Sequence, residues 1–234
     1  VSSESNVYAA QIYDGIEGTK VLDIDFTADA SYNATHTTLT AVTGQGVTIN
    51  RSATGLKGTV VTENVAVFDG VDDYIEIDDH ARLNFALAES LTVASAVRVF
   101  GTNADLAFIA KKADLTTALG YSLGRGTANA PEFTIGDGTN ATNDVGPALT
   151  QGARSVVLGV RRVASDDIEA YSAGVGSGSP TTDASTGTLS NTGALRIGRL
   201  SGAGTAYGIH QFYTAALFRR ALSAAQILRL NGEM

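Results

Sequence analysis

Two runs of acidic and amide side chains are the first places where this sequence could do chemistry. Gly136-Asp137-Gly138-Thr139-Asn140-Ala141-Thr142-Asn143-Asp144 sets four oxygen donors, Asp137, Asn140, Asn143 and Asp144, within eight residues. Hard cations such as calcium are held by oxygens of this kind, gathered from loops. Asp69, Asp72 and Asp73 form a second cluster inside Phe68-Asp69-Gly70-Val71-Asp72-Asp73-Tyr74-Ile75-Glu76-Ile77. Asp-Gly and Asn are also turn formers whose side chains bond their own backbone, and that reading is preferred for both clusters.

Catalytic groups are harder to find, and no catalytic residue is assigned. A retaining glycosidase needs two carboxyl groups on one face, one as nucleophile and one as acid. Glu76 alternates with Ile75 and Ile77 and reads as a solvent-facing strand residue. His36, His80 and His210 are scattered without a partner at metal-ligand spacing, and His210, within a strand, reads as structural. Gly208 falls one residue too far after Gly202-Ala203-Gly204 for a dinucleotide fingerprint. The absence of cysteine excludes disulfides and thiolate metal sites.

Sugar binding calls for an aromatic platform with fixed polar groups beside it. Tyr121, Tyr171, Tyr207 and Tyr213 are available, and there is no tryptophan. Tyr207, in the Gly-rich loop Ser201–Gly208, is read as exposed. The candidate ligand-binding residues are Tyr207, Tyr121 and Asn140. Asn33 and Asn140 also fit glycosylation sequons, which matter only in a host that glycosylates.

These side chains are carried by short strands. Leu22, Ile24 and Phe26 alternate with Asp23 and Asp25, predicting a strand over Val21–Phe26. Leu91–Phe100 is the longest strand signal. Others fall near Val47–Ile49, Val65–Phe68, Leu106–Ala110, Tyr121–Gly124, Glu132–Ile135, Ser155–Val163, Ile168–Ser172, Ala194–Ile197 and Ile209–Leu217. Gly, Asn and Asp between them predict a two-sheet antiparallel sandwich. One short helix is expected after the last strand, with Ser223 and Gln226 as a capping box and Gly232 as its stop. Being short, it is expected to plug an edge or end of the sandwich. The Gly/Ser/Thr-rich run Gly174–Gly193 is read as a long surface hairpin loop.

The 234 residues read as one large domain preceded by a polar arm over residues 1–20. A formal charge of −8 disfavours phosphate backbones, so nucleic acid is not an expected partner. No apolar run approaches the roughly 20 residues of a membrane span, and the first residues lack the pattern of a secretory signal.

From Val21 to Leu230 the chain resembles the laminin-G-like group of the concanavalin A-like lectin/glucanase superfamily. The resemblance rests on five pieces in order. They are Phe68–Tyr74, the strand Leu91–Phe100, and Lys111-Lys112 followed by Gly120-Tyr121-Ser122-Leu123. Then come Tyr171–Gly174 and Arg196-Ile197-Gly198-Arg199 with the tail Ala221-Leu222-Ser223. Where the family often has tryptophan this chain has Ala96 and Arg154-Ser155, which marks a divergent member. The resemblance implies an all-β jelly-roll over residues 21–234. Laminarinase-type members carry E-x-D-x-x-E on one strand, but here Glu76-Ile77-Asp78 ends on Ala81, so a non-enzyme is expected.

The expected function is therefore a non-catalytic binding or structural module. Its expected setting is a bacteriophage virion surface, as a capsid decoration or tail attachment component with lectin-like glycan or protein binding. A secreted bacterial adhesin module binding polysaccharide is the alternative, and a divergent glycan hydrolase or lyase stands behind it. Expected partners are glycans or other virion or cell-surface proteins, within a homo-oligomer or larger assembly and without membrane insertion. Expected localisation is extracellular or on the virion. No cofactor is assigned, and calcium is the one the rim loops could take.

Overall fold

The computed structural model describes residues 65–101, 106–112, 118–200 and 210–234 in full, with the backbone alone of 10–13, 20–24, 38–40, 46–50 and 209. Two antiparallel sheets face one another. The first has eight strands, in the order β11 (Ala141–Val145), β10 (Pro131–Gly136), β9 (Gly120–Arg125), β8 (Leu106–Lys111), β16 (Leu195–Ile197), β6 (Tyr74–Ile77), β4 (Gly46–Asn50) and β3 (Thr38–Thr40). The second runs β14 (Val175–Gly176), β13 (Asp167–Ser172), β12 (Arg154–Arg162), β7 (Leu91–Val99), β17 (Ile209–Phe218) and β5 (Ala66–Asp69), with β15 (Thr181–Thr182) also pairing to β13. β1 (Ala10–Tyr13) pairs with β2 (Lys20–Ile24), and β1 lies against β17. This is the two-sheet antiparallel sandwich expected from the strand pattern, and the jelly-roll that the resemblance implies.

Period-two alternation decides what each sheet buries. Val93, Val97 and Val157 from one sheet meet Leu123, Phe133, Ile135, Ile77 and Ile197 from the other in the main core. Each such side chain, fully buried, contributes roughly 1.5–3 kcal/mol. β11 shows the rule plainly: Thr142 and Asp144 are buried, while Ala141, Asn143 and Val145 are exposed.

The strands β7 and β12 are buried on both faces, and the reason lies in the C-terminal helix. α1 (Ala224–Glu233) starts with the expected capping box, Ser223 accepting from the Gln226 amide and Gln226 accepting from the Ser223 amide. Ile227 and Leu230, with Leu222, pack on Ala94, Ala96, Val156, Leu158 and Val160. The helix thus covers the outer face of the second sheet rather than plugging an edge. Alanines at 94 and 96 keep that face low enough for one short amphipathic helix to seal it. α1 also runs through Gly232, the residue expected to stop it.

Two connections differ from simple hairpins. The Asp-Gly turn carries the chain from β5 in one sheet to β6 in the other, so it forms a corner on the rim. Likewise 174–193 is a crossover rather than a surface hairpin, since β13 and β16 belong to different sheets. Buried Asp183 and Leu189 tie it down, and Leu189 N–H donates to Phe85 O at 3.0 Å.

Candidate functional site

The corner between β5 and β6 gathers the most charge in the least space. Phe68 is buried and fixes the strand end; Gly70, at φ +81°, turns the chain. Asp69 Oδ1 accepts from Val71 N–H at 2.8 Å, and Asp73 Oδ2 accepts from Asp69 N–H at 3.2 Å. These bonds bring ligand oxygens of Asp69, Asp72 and Asp73 within 4.8 Å of one another. Asp72 Oδ1 is buried without a hydrogen-bond partner. Three carboxylates this close repel, and an oxygen-only donor set of this kind suits a hard cation.

Immediately beyond the corner, β6 turns Tyr74 and Glu76 to the outer face of the eight-stranded sheet. Its neighbour β16 places Arg196 opposite Glu76, with Nε 2.5 Å from the carboxylate. The guanidinium carbons of Arg196 and Arg199 lie 5.5 and 5.0 Å from the Tyr74 ring centre, a cation–π geometry. Gly198 makes this approach possible. At φ +89°, a Cβ there would lie 2.9 Å from the Phe68 ring and 3.3 Å from Asp73 O. The basic turn therefore rests on the acidic corner, and the two form one site. Tyr74, Arg196 and Arg199 escaped sequence reasoning as ligand groups, because only the β6–β16 register unites them.

The Asp137 cluster does not converge on one point. Asp137 Oδ1 accepts from the amides of Thr139 (2.9 Å) and Asn140 (2.6 Å), and Oδ2 from those of Thr186 (2.6 Å) and Gly187 (3.1 Å). Asn140 donates to Asp137 Oδ2 and to Thr186. Asn143 points outward to Glu132, whereas Asp144 points inward and accepts from Ala170 N–H and Thr181 Oγ1, each at 2.8 Å. Asp137 and Asn140 are thus a turn and a loop lock, as their turn chemistry foretold.

A pH dependence follows. Although burial acts to raise the Asp137 pKa, the donated amides outweigh it and hold the carboxyl well below its ordinary value of 3.8. Its stabilisation is therefore complete above the unfolded pKa and is lost as pH falls towards the lower folded value. Asp137→Asn should lower the melting temperature at pH 7, and the deficit should shrink as pH falls from about 4. Equal deficits at pH 7 and pH 3 would contradict this role.

The tyrosines divide by burial. Tyr121 is fully buried, edge-on to Phe85 at 5.6 Å between centroids, and its hydroxyl donates to Leu83 O at 3.1 Å. Burial pushes its phenol far above the ordinary range. It is a core residue instead of a sugar platform, because β9 turns it inward beside Leu123. Tyr171 is also buried, its hydroxyl shared between Arg162 and Glu169, and its pKa is pushed up to about 12, chiefly by burial. Tyr207 and Asn33 lie outside the described residues, as does His36. His210 is fully buried and stacked on Phe68 at 4.8 Å, the structural role expected of it.

Lys111 shows what the fold does with a buried cation of its own. Its Nζ meets Asp79 at 2.7 Å, Gly193 O at 2.5 Å and Asn191 O at 3.1 Å. Asn191 in turn donates to Lys111 O and Leu119 O. With Asn191 Oδ1 at 3.3 Å, one carboxylate and three carbonyl oxygens around an ammonium mimic a metal's oxygen shell, and they lock the end of the sandwich.

Comparison with known proteins follows the same lines. A family model described as the concanavalin A-like lectin/glucanases superfamily matches residues 69–228. No curated protein matches the sequence. Among solved structures, the ligand-binding domain of botulinum neurotoxin serotype D, in complex with N-acetylneuraminic acid, superposes with a TM-score of 0.61 at 12% identity, over 97% of this chain and 50% of that one. The binding domain of botulinum neurotoxin DC, in complex with rat synaptotagmin II, gives 0.58 at 9% identity over 96% and 51%. The binding domain of the paraclostridial mosquitocidal protein 1 gives 0.55 at 12% identity over 79% and 51%. The chain spans about half the length of these domains, and at such identity the likeness is one of fold.

Proposed function

The chain belongs to the concanavalin A-like lectin/glucanase superfamily, and from that premise we propose that it is a non-catalytic module binding glycan at the β5–β6 corner. The observation that carries this reading is the junction of three clustered carboxylates with Tyr74, Glu76, Arg196 and Arg199 on one outer face. Calcium between Asp69, Asp72 and Asp73 would offset their repulsion and offer open coordination positions to sugar hydroxyls. Tyr74, Glu76 and the two arginines would supply the ring contact and directed hydrogen bonds that fix a saccharide. Glu76 has Arg196 as its partner, an arrangement suited to orienting a hydroxyl rather than to donating a proton. The similar neurotoxin domains, whose complexes hold a sialic acid in one case and a protein receptor in another, support a binding role for this fold.

The setting we propose is an exterior surface. A bacteriophage virion, with the chain as decoration or tail attachment component, is preferred over a secreted bacterial adhesin. Antibody labelling of intact particles separates the two. The binding itself is tested by calorimetric titration with soluble bacterial cell-surface polysaccharides, in calcium and in chelator. At least one should bind in calcium only, calcium should raise the melting temperature, and Asp72→Asn should abolish that rise. Arg199→Ala should weaken saccharide binding about tenfold. Absence of saccharide binding together with a calcium-independent melting temperature would defeat the reading. Release of reducing ends, abolished by Glu76→Gln, would show a hydrolase instead.

A further inference from the structure

The outer face of the second sheet carries two arginines in an unusual position. Arg98 on β7 stands directly opposite Arg154 on β12, and Gln211 on β17 faces Arg98 from the other side. Val67 on β5 continues the row beyond Gln211. Residues directly opposite on neighbouring antiparallel strands point to one face, their Cβ atoms about 5 Å apart, and like charges so placed destabilise the sheet. In a chain with eight more acidic than basic residues, countercharge is plentiful. Yet among the described residues neither arginine makes an ion pair or a side-chain hydrogen bond, and Arg98 Nε is buried without a partner. A buried unpaired donor is destabilising, the more so when it is charged.

The pair is also held ready. The Arg154 guanidinium lies 4.7 Å from the Tyr213 ring centre, and the Tyr213 hydroxyl donates to Gln211 Oε1 at 3.1 Å. Tyr213 occupies the bulge in β17 between Phe212 and Thr214, which brings it beside Arg154. The helix α1 covers the neighbouring stretch of the same face at Ala94 and Ala96 and leaves Arg154 exposed.

We infer that Arg98 and Arg154 form a subsite for a carboxylate carried on a sugar. This site lies on the other sheet from the β5–β6 corner and does not depend on it. A carboxylate offers two oxygens to two forked guanidinium groups and removes both the repulsion and the orphaned Nε donor. The Tyr213 ring beside Arg154 and Val67 at the far end of the row add apolar surface to the same face, which suits a carboxylate on a carbon ring better than a free inorganic ion.

The test is titration of the full chain with oligogalacturonate, with its methyl ester and with inorganic sulfate. Oligogalacturonate should bind while the ester and sulfate do not. Arg98→Gln and Arg154→Gln should each weaken binding at least about tenfold, while Arg229→Ala on the helix should leave it unchanged. Arg98→Gln should also raise the melting temperature of the free protein, because it removes the repulsion. Equal binding of acid and ester would overturn the proposal, as would sulfate binding at the same strength. Loss of binding in Arg199→Ala with retention in Arg98→Gln would overturn it too, by assigning the acid to the other face. No binding of any probe would overturn it outright.

Discussion

Replacing Asp183 with asparagine is expected to destabilise the protein by about 3–5 kcal/mol, the cost of stripping one partner from a buried ion pair. Arg161 and Asp183 are 2% and 3% exposed, with Nε 2.6 Å from the carboxylate. The Arg161 Nη1 donates to Glu89 O at 3.2 Å and Ala86 O at 3.4 Å, while Asp183 Oδ1 accepts from Ser185 N–H at 2.8 Å. The pair thereby pins both the loop after β6 and the crossover after β15 to the end of β12. Asparagine keeps the shape but leaves a guanidinium in a dry site without its counter-ion. The exposed pair Arg229–Glu233, also at 2.6 Å but 60% and 49% exposed, sets the contrast. Breaking it should cost no more than about 0.5 kcal/mol, since water solvates both ends. Urea unfolding of both variants decides the matter. A midpoint loss for Asp183→Asn no larger than that for Arg229→Ala would show that the buried pair holds nothing together. Replacing both Arg161 and Asp183 by apolar residues should cost much less than the two single changes added, because no lone charge is then left behind.

Neither end of that pair was legible in the sequence, and the reason is general to this fold. Strand existence follows from local alternation, so Leu91–Val99, Ile168–Ser172 and the segment around Tyr74–Ile77 could be read directly. The Ser223–Gln226 capping box is equally local. Which strand neighbours which is a property of distant segments. Arg196 meets Glu76 across 120 residues, and Arg161 meets Asp183 only because a crossover folds back onto β12. The same limit explains the cation donors. Residues 137–144 looked richest because four oxygen donors fell in eight positions, but period two on β11 sends Asn143 and Asp144 to opposite faces. Asp69, Asp72 and Asp73 sit on a turn, where no such alternation separates them. The core position of Tyr121 is not legible locally, since Gly120 and Ser122 do not reveal that the alternating face between them is the core.

The smallest change in the core should have a large effect. Gly159→Ala adds one methyl group, and alanine would ordinarily favour a strand interior by about 0.5–1 kcal/mol over glycine. Here the added Cβ would lie 2.1 Å from two carbons of the Phe133 ring. Neither side can yield easily. Gly159 is paired with Val93 on β7 and Ala170 on β13, so its backbone is held from both edges. Phe133 is fully buried between the sheets, and its own strand is paired to β9 and β11. Overpacking of this kind costs about 1–3 kcal/mol, and a contact this short on a ring held by both layers belongs at the upper end. The clash also makes a coupling that can be measured. Phe133→Leu alone should destabilise by leaving space above Gly159, yet in the Gly159→Ala background the smaller side chain should make room for the methyl. The double variant should therefore be more stable than the sum of the single changes by about 0.5–3 kcal/mol in chemical denaturation. Strict additivity would mean that the ring does not rest on Gly159, and that the sheets pack in a different register from the one described.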